Sequence, residues 1–168
     1  PGSISVEQLK NIDPEYLTEA LLDIKAEIAL LDAAAGLGRE ALASIKAGDE
    51  LIIVTNQEMP AIADALKTIK IAEYFNKNVL GVIVNRFEEN SMSVKNIATI
   101  LGKPVIGIIP EDEFVKKSLV KKQPVVYAYP KSEAAVAYKR LAANLLGVTY
   151  YGEEEIKENY LVRFLRAI

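Results

Sequence analysis

The chain contains no cysteine, no histidine and no tryptophan in 168 residues. Without cysteine, disulfides, thiolate metal sites and a cysteine nucleophile are excluded together. Without histidine, the commonest general base and metal ligand is absent too. Any chemistry must then run on carboxylates, lysine or arginine, backbone amides or a bound metal ion. No apolar run approaches the roughly 18 residues of a membrane span, and no signal peptide opens the chain, which points to a cytosolic setting. A phosphate cradle is also missing. G-x-x-x-x-G-K-[ST] surrounds a triphosphate with successive backbone N–H groups and one lysine. Here the single Gly-Lys pair is Gly102-Lys103, with Pro104 after it and Ile97 where the first glycine would stand.

What is present is ordinary for one globular α/β domain: half the residues are hydrophobic, a quarter are charged, and no internal repeat or low-complexity segment interrupts them. The net charge of -3 argues against a nucleic-acid footprint over the whole surface, though it leaves room for a local basic patch. The chain opens at Pro1 rather than Met, which reads as a fragment or a processed product.

Asp13-Pro14 starts a helix that reaches about Lys25, with aspartate as cap and proline in the first turn. Further helices are expected at 39–47, 60–75, 93–101, 111–120 and 132–146. Continuous apolar runs at 28–31, 51–54, 79–84, 105–109 and 125–127 read as strands. Apolar strands alternating with helices predict a mostly parallel sheet covered on both faces. Ligands in such sheets sit at the carboxyl ends of the strands. The loops after Leu31, Val54, Val84 and Ile109 therefore belong to one rim.

Asp32 ends an expected strand at that rim, where it could hold Mg²⁺ directly or through water, and Gly36 lets backbone approach a phosphate. An aspartate capping the next helix fits the same spacing. Asn85-Arg86 closes the strand at 79–84. An asparagine amide donates and accepts at once, which suits a purine edge; a turn asparagine is the competing reading. Pro110-Glu111-Asp112 ends the next strand and by itself reads as a helix start with acidic residues at the positive end of the dipole. Lys116, Lys117, Lys121 and Lys122 read as a solvated helix face.

Five segments in order carry a resemblance that covers nearly the whole chain: Leu31-Asp32-Ala33-Ala34-Ala35-Gly36-Leu37-Gly38, Val54-Thr55-Asn56-Gln57-Glu58, Ala61–Thr68, Gly81-Val82-Ile83-Val84-Asn85-Arg86 and Val105–Asp112. Together they resemble the MinD branch of the deviant Walker A (MinD/ParA) ATPases, archaeal-type, with a three-layer P-loop NTPase-like fold. The segment from Ser5 to Leu9 resembles the stretch before that family's second switch. The resemblance implies that Asp32 organises Mg²⁺ and the attacking water. Gly36 would lie near the γ-phosphate, and Asn85, Arg86, Pro110, Glu111 and Asp112 would form the adenine-binding loops for ATP or ADP. Glu58 and Asp64 would belong to the surface for a homodimer partner and a cell-division or positioning protein, with septum-site determination as the implied role.

Two departures matter. Ala34 replaces the proline of the usual Asp-x-Pro-Ala-Gly, and the family's P-loop, its two lysines and its switch-I aspartate would all precede Pro1. These 168 residues alone are therefore not expected to turn over ATP. The family's first strand lies in mid-sheet beside the one ending at Asp32, so the upstream segment is expected in the same molecule. A non-hydrolysing adaptor, or a ParA-like partitioning ATPase with salt-dependent DNA binding, remains the alternative to a MinD-like enzyme.

Residues 1–149 read as the later part of the nucleotide-binding domain and 150–168 as a linker and terminal helix. On a helical wheel Tyr160, Leu161, Phe164, Leu165 and Ile168 share one face and Arg163 and Arg166 oppose it. That is the composition of an interfacial membrane helix, implying a cytoplasmic protein peripherally bound to the membrane. The alternative is a helix packed on the domain, favoured by acidic Glu153–Glu155 and by Lys157 within the apolar arc.

Overall fold

The computed structural model describes residues 38–150, together with Leu21, residues 24–34 and Gly36. Within them the order is α1 (Arg39–Ala47), β1 (Glu50–Thr55), α2 (Met59–Tyr74), β2 (Asn78–Phe87), α3 (Val94–Leu101), β3 (Val105–Pro110), α4 (Glu113–Val120), α5 (Val125–Ala128) and α6 (Glu133–Leu145). The helix expected from Asp13, most of which falls before Leu21, and the terminal helix with its linker lie outside the described residues.

Each strand is a run of β-branched and aliphatic residues, and each helix begins at a recognisable signal. Pro60 sits in the first turn of α2. The Ser93 and Ser132 hydroxyls accept from the amides of Asn96 and Ala135 at the starts of α3 and α6. The strands form one parallel sheet in the order β1-β2-β3.

Side chains that alternate across the pleat feed two cores. On one face Ile53, Val79, Val82 and Val84 meet Ile45 of α1, Ile62, Ala65, Ile69 and Ala72 of α2, and Ile97 and Leu101 of α3. On the other, Ile83 and Ile109 meet Ala134 and Leu141 of α6, with Ile52, Ile106 and Val115 packed alongside. Helices thus cover both faces, giving the expected three layers of the MinD/ParA P-loop NTPase fold with an incomplete sheet.

The layers close tightly where β2 passes β3. A Cβ on Gly81 would lie 2.5 Å from Ile106 Cγ2 and 2.7 Å from the Pro104 carbonyl oxygen, so only glycine fits there.

Two expected strands are absent. Residues 28–31 carry no strand, and Leu30 is 86% exposed. A strand exists only by pairing, and among the described residues nothing pairs with 28–31 or with the outer edge of β1. Val54 on β1 is correspondingly 60% exposed. Residues 125–127 form the helical turn α5 instead of a strand. Pro124 precedes it, the Tyr127 and Ala128 amides donate to the Pro124 carbonyl, and Val125 is buried, so packing overrides the β-propensity of Val-Val-Tyr. Finally, β2 runs three residues further than the apolar pattern suggests, carrying Asn85 and Arg86 as its last turn of strand rather than as loop.

Candidate functional site

Because all three strands are parallel, their carboxyl ends meet at one rim: Thr55–Glu58 after β1, Asn85–Glu88 at the end of β2, and Pro110–Asp112 after β3. At β1 the Asn56 side-chain oxygen accepts from the Glu58 amide at 2.9 Å, a local turn that launches α2. Glu58 is the exposed cap position of α2. Asp64, further along the same helix, is exposed and paired with Lys67 at 2.9 Å.

The end of β2 is tied to β3. The Glu111 amide donates to the Phe87 carbonyl at 3.0 Å, and Arg86 Nε donates to Glu111 Oε2 at 2.9 Å. Lys116 Nζ reaches the other Glu111 oxygen at 3.0 Å. The Arg86 hydrogen bond, followed by that of Lys116, holds the Glu111 carboxyl below the usual glutamate range, and Glu111 in turn pushes Arg86 upward. Arg86 has φ +54°, in the left-handed region, which turns its backbone away from the strand path.

The side chain of Asn85, half-buried beside it, makes no hydrogen bond among the described residues. Its amide is left with both donors and its acceptor unused near the carboxyl end of β2.

Asp112 is fully engaged. One oxygen accepts from the Phe114 amide at 2.8 Å, capping α4, and the other accepts from the Ala134 amide at 3.0 Å, holding the start of α6. Burial alone would raise its carboxyl, but the Ala134 and Phe114 amides and the Ser132 hydroxyl outweigh it, and the net shift is downward.

The structure thus gathers Asn85, Arg86, Pro110, Glu111 and Asp112 at one place. Asp32 lies in exposed irregular chain, and Gly36 has φ +85°; no hydrogen bond or ion pair joins either to the rim among the described residues. Lys103 of the Gly-Lys pair is at the opposite end of the sheet, bound to Glu73 at 3.1 Å, and plays no part in the rim. Gln57 falls in the loop after Val54, yet its side chain is buried and bonded to the loop after β2. No local signal in the sequence reveals this, because the partners are distant along the chain. The tail residues Tyr160, Leu161, Phe164, Leu165 and Ile168 lie outside the described residues.

At the rim the Glu111 and Asp112 carboxylates are already engaged, and the Asn85 side-chain amide is the polar group that makes no bond among the described residues. Among the described residues no three His, Cys, Asp or Glu side chains cluster to hold a metal alone. Magnesium asks less, since one or two carboxylates plus substrate phosphates suffice. No described helix is long and apolar enough to cross a membrane.

Residues 35–165 match the family described as 4Fe-4S iron sulfur cluster binding proteins, NifH/frxC family. The chain is 39% identical over 173 residues to an uncharacterized ATP-binding protein of Methanocaldococcus jannaschii, covering 100% of this chain and 66% of that protein. Its fold is similar to the Pyrococcus furiosus cell division ATPase MinD, with a TM-score of 0.80 and 26% identity, over 88% of this chain and 64% of that one. It is similar too to the Pyrococcus horikoshii septum site-determining protein MinD complexed with Mg-ADP, with a TM-score of 0.78 and 29% identity, over 86% of this chain and 61% of that one. The chain therefore spans 61% to 66% of the lengths of these proteins.

Proposed function

Since this chain belongs to the NifH/frxC family and is MinD-like, we propose that it forms the base-binding rim of an ATPase that acts with Mg·ATP. The observation that carries the reading is the unpartnered Asn85 amide, held at the strand end by contacts on both sides of it. An adenine edge offers one donor and one acceptor side by side, and a single amide can meet both.

Phe87 and Glu111 fix the distance between the two rim loops, and the Glu111 carboxylate bridges the Arg86 and Lys116 cations at the entrance, leaving that trio one positive charge. Bound Mg·ATP would supply the phosphoanhydride to be cleaved and the cation that neutralises it. Asp32 is the carboxylate proposed to reach that cation through water, and Gly36 the residue proposed near the terminal phosphate. Groups that cradle the phosphates would come from outside these 168 residues, since the motif for them is absent.

The cluster in the family's description finds no support in this chain. An iron–sulfur cluster is held by cysteine thiolates, and none of the 168 residues is cysteine.

On this reading ATP would bring two copies together, with Glu58 at the cap of α2 and Asp64 on it facing a partner. The terminal helix with Tyr160, Leu161, Phe164, Leu165 and Ile168 would bind the membrane surface, and the protein would place a division or positioning partner. Calorimetry on the intact protein tests the nucleotide step. Mg·ADP is expected to bind, and Asn85→Ala to weaken it by about tenfold, the scale of one lost hydrogen-bonded recognition group. Failure of the wild-type protein to bind Mg·ADP would remove the reading.

A further inference from the structure

Gln57 is a buried polar side chain of the rim whose bonds, unlike the local one of Thr55, reach far along the chain. Only 8% of it is exposed. Its Nε2 donates to the Glu88 carbonyl at 3.0 Å and to the Met92 carbonyl at 2.7 Å. Its Oε1 accepts from the Glu88 amide at 2.7 Å. Both N–H donors and the oxygen are therefore satisfied by backbone 31 and 35 residues away, and the amide has a single orientation that meets them all.

The location matters as much as the bonding. Gln57 immediately precedes Glu58, the cap position of α2. Glu88 follows Phe87, the last residue of β2, three positions beyond Asn85. From the other side, the Glu111 amide holds Phe87. The strand end that presents Asn85 is thus clasped between β3 and the start of α2, and one side chain makes the α2 half of the clasp.

We infer that Gln57 is a positioning residue for the base site: it locks the Asn85–Glu88 strand end to the start of α2 and so fixes where the Asn85 amide meets a purine. This rests on the nucleotide reading proposed above. A positioning role also ties the α2 surface bearing Glu58 and Asp64 rigidly to the base loop, because the same glutamine belongs to both.

The test uses the intact protein with two ligands, Mg·ADP and inorganic pyrophosphate, which share the phosphates and differ in the base. Affinities for both are measured by calorimetry alongside thermal unfolding. Gln57→Ala is expected to weaken Mg·ADP by about tenfold, the size of coupling seen between contacting residues, and to leave pyrophosphate unchanged. Combining it with Asn85→Ala should cost no more than the larger single effect, because both act on one contact. Gln57→Glu keeps the acceptor for the Glu88 amide but sets a carboxylate against two carbonyls. It should reproduce the loss, and it serves if the alanine variant does not fold.

Unchanged Mg·ADP affinity in both variants would overturn the inference, as would equal losses for the two ligands. If the wild-type protein holds Mg·ADP no more tightly than pyrophosphate, the base reading itself fails and this inference with it. If the wild type discriminates and the variants discriminate equally well, the inference alone falls.

Discussion

Asp112 shows what a single side chain contributes when both its oxygens are spoken for. Its bonds to Phe114 and Ala134 join α4 to α6, elements separated by the α5 turn. Asp112→Asn retains one acceptor and turns a donor toward an amide, so a loss of about 1–3 kcal/mol at pH 7 is expected. The carboxyl is held below its usual range, so this stabilisation is complete above the ordinary aspartate pKa of about 3.9 and is lost as pH falls through the lowered folded value. Urea denaturation of both proteins should therefore show the gap at pH 7 shrinking near pH 3, and an equal gap at both would mean that the charge is not what holds the helices. At this scale the sequence was partly transparent. Pro110-Glu111-Asp112 reads as a helix start because capping is local, and the cap is there. The second bond of Asp112 crosses 22 residues and the Gln57 bonds cross 31 and 35, distances over which no spacing rule operates.

Among the elements, helices obeyed local chemistry and strands obeyed their neighbours. Arg39–Ala47 is where its pattern puts it, and α3 begins at the Ser93 cap. Ser93→Ala is expected to lower stability by about 1 kcal/mol through that lost cap, seen as a lower urea midpoint with unchanged slope. A normal midpoint would show that other contacts hold the first turn. Residues 28–31 have the composition of a strand, but pairing partners are a property of the whole sheet, and Val125–Tyr127 has strand composition yet packs as a turn of helix. The terminal helix expected at 160–168 lies outside the described residues and rests on its wheel alone. If it binds lipid, Phe164→Glu in the intact protein should abolish sedimentation with anionic liposomes. Sedimentation equal to wild type would point to the packed alternative.

For the molecule as a whole, the parallel direction of β1, β2 and β3 follows from apolar strands alternating with helices, and it places the loops after these three strands at one pole. The outer edge of β1 has no partner among the described residues, and Val54 is exposed beside it. An apolar, unpaired edge is a template for association. Residues 1–168 expressed alone are thus expected to self-associate, with larger species at higher concentration in sedimentation velocity. A monodisperse monomer that unfolds cooperatively would show that the edge is covered from within these residues.

The same polarity has a use at the bench. Tyr74 closes α2 at the pole away from the rim and is 80% exposed. The ten residues of β2, at about 3.3 Å each, put roughly 30 Å between the poles. With no thiol among these 168 residues to compete, a cysteine placed at position 74 would give them one site for a maleimide dye or a surface tether. Fluorescence or single-molecule recordings would then follow the rim while the handle stays out of its way.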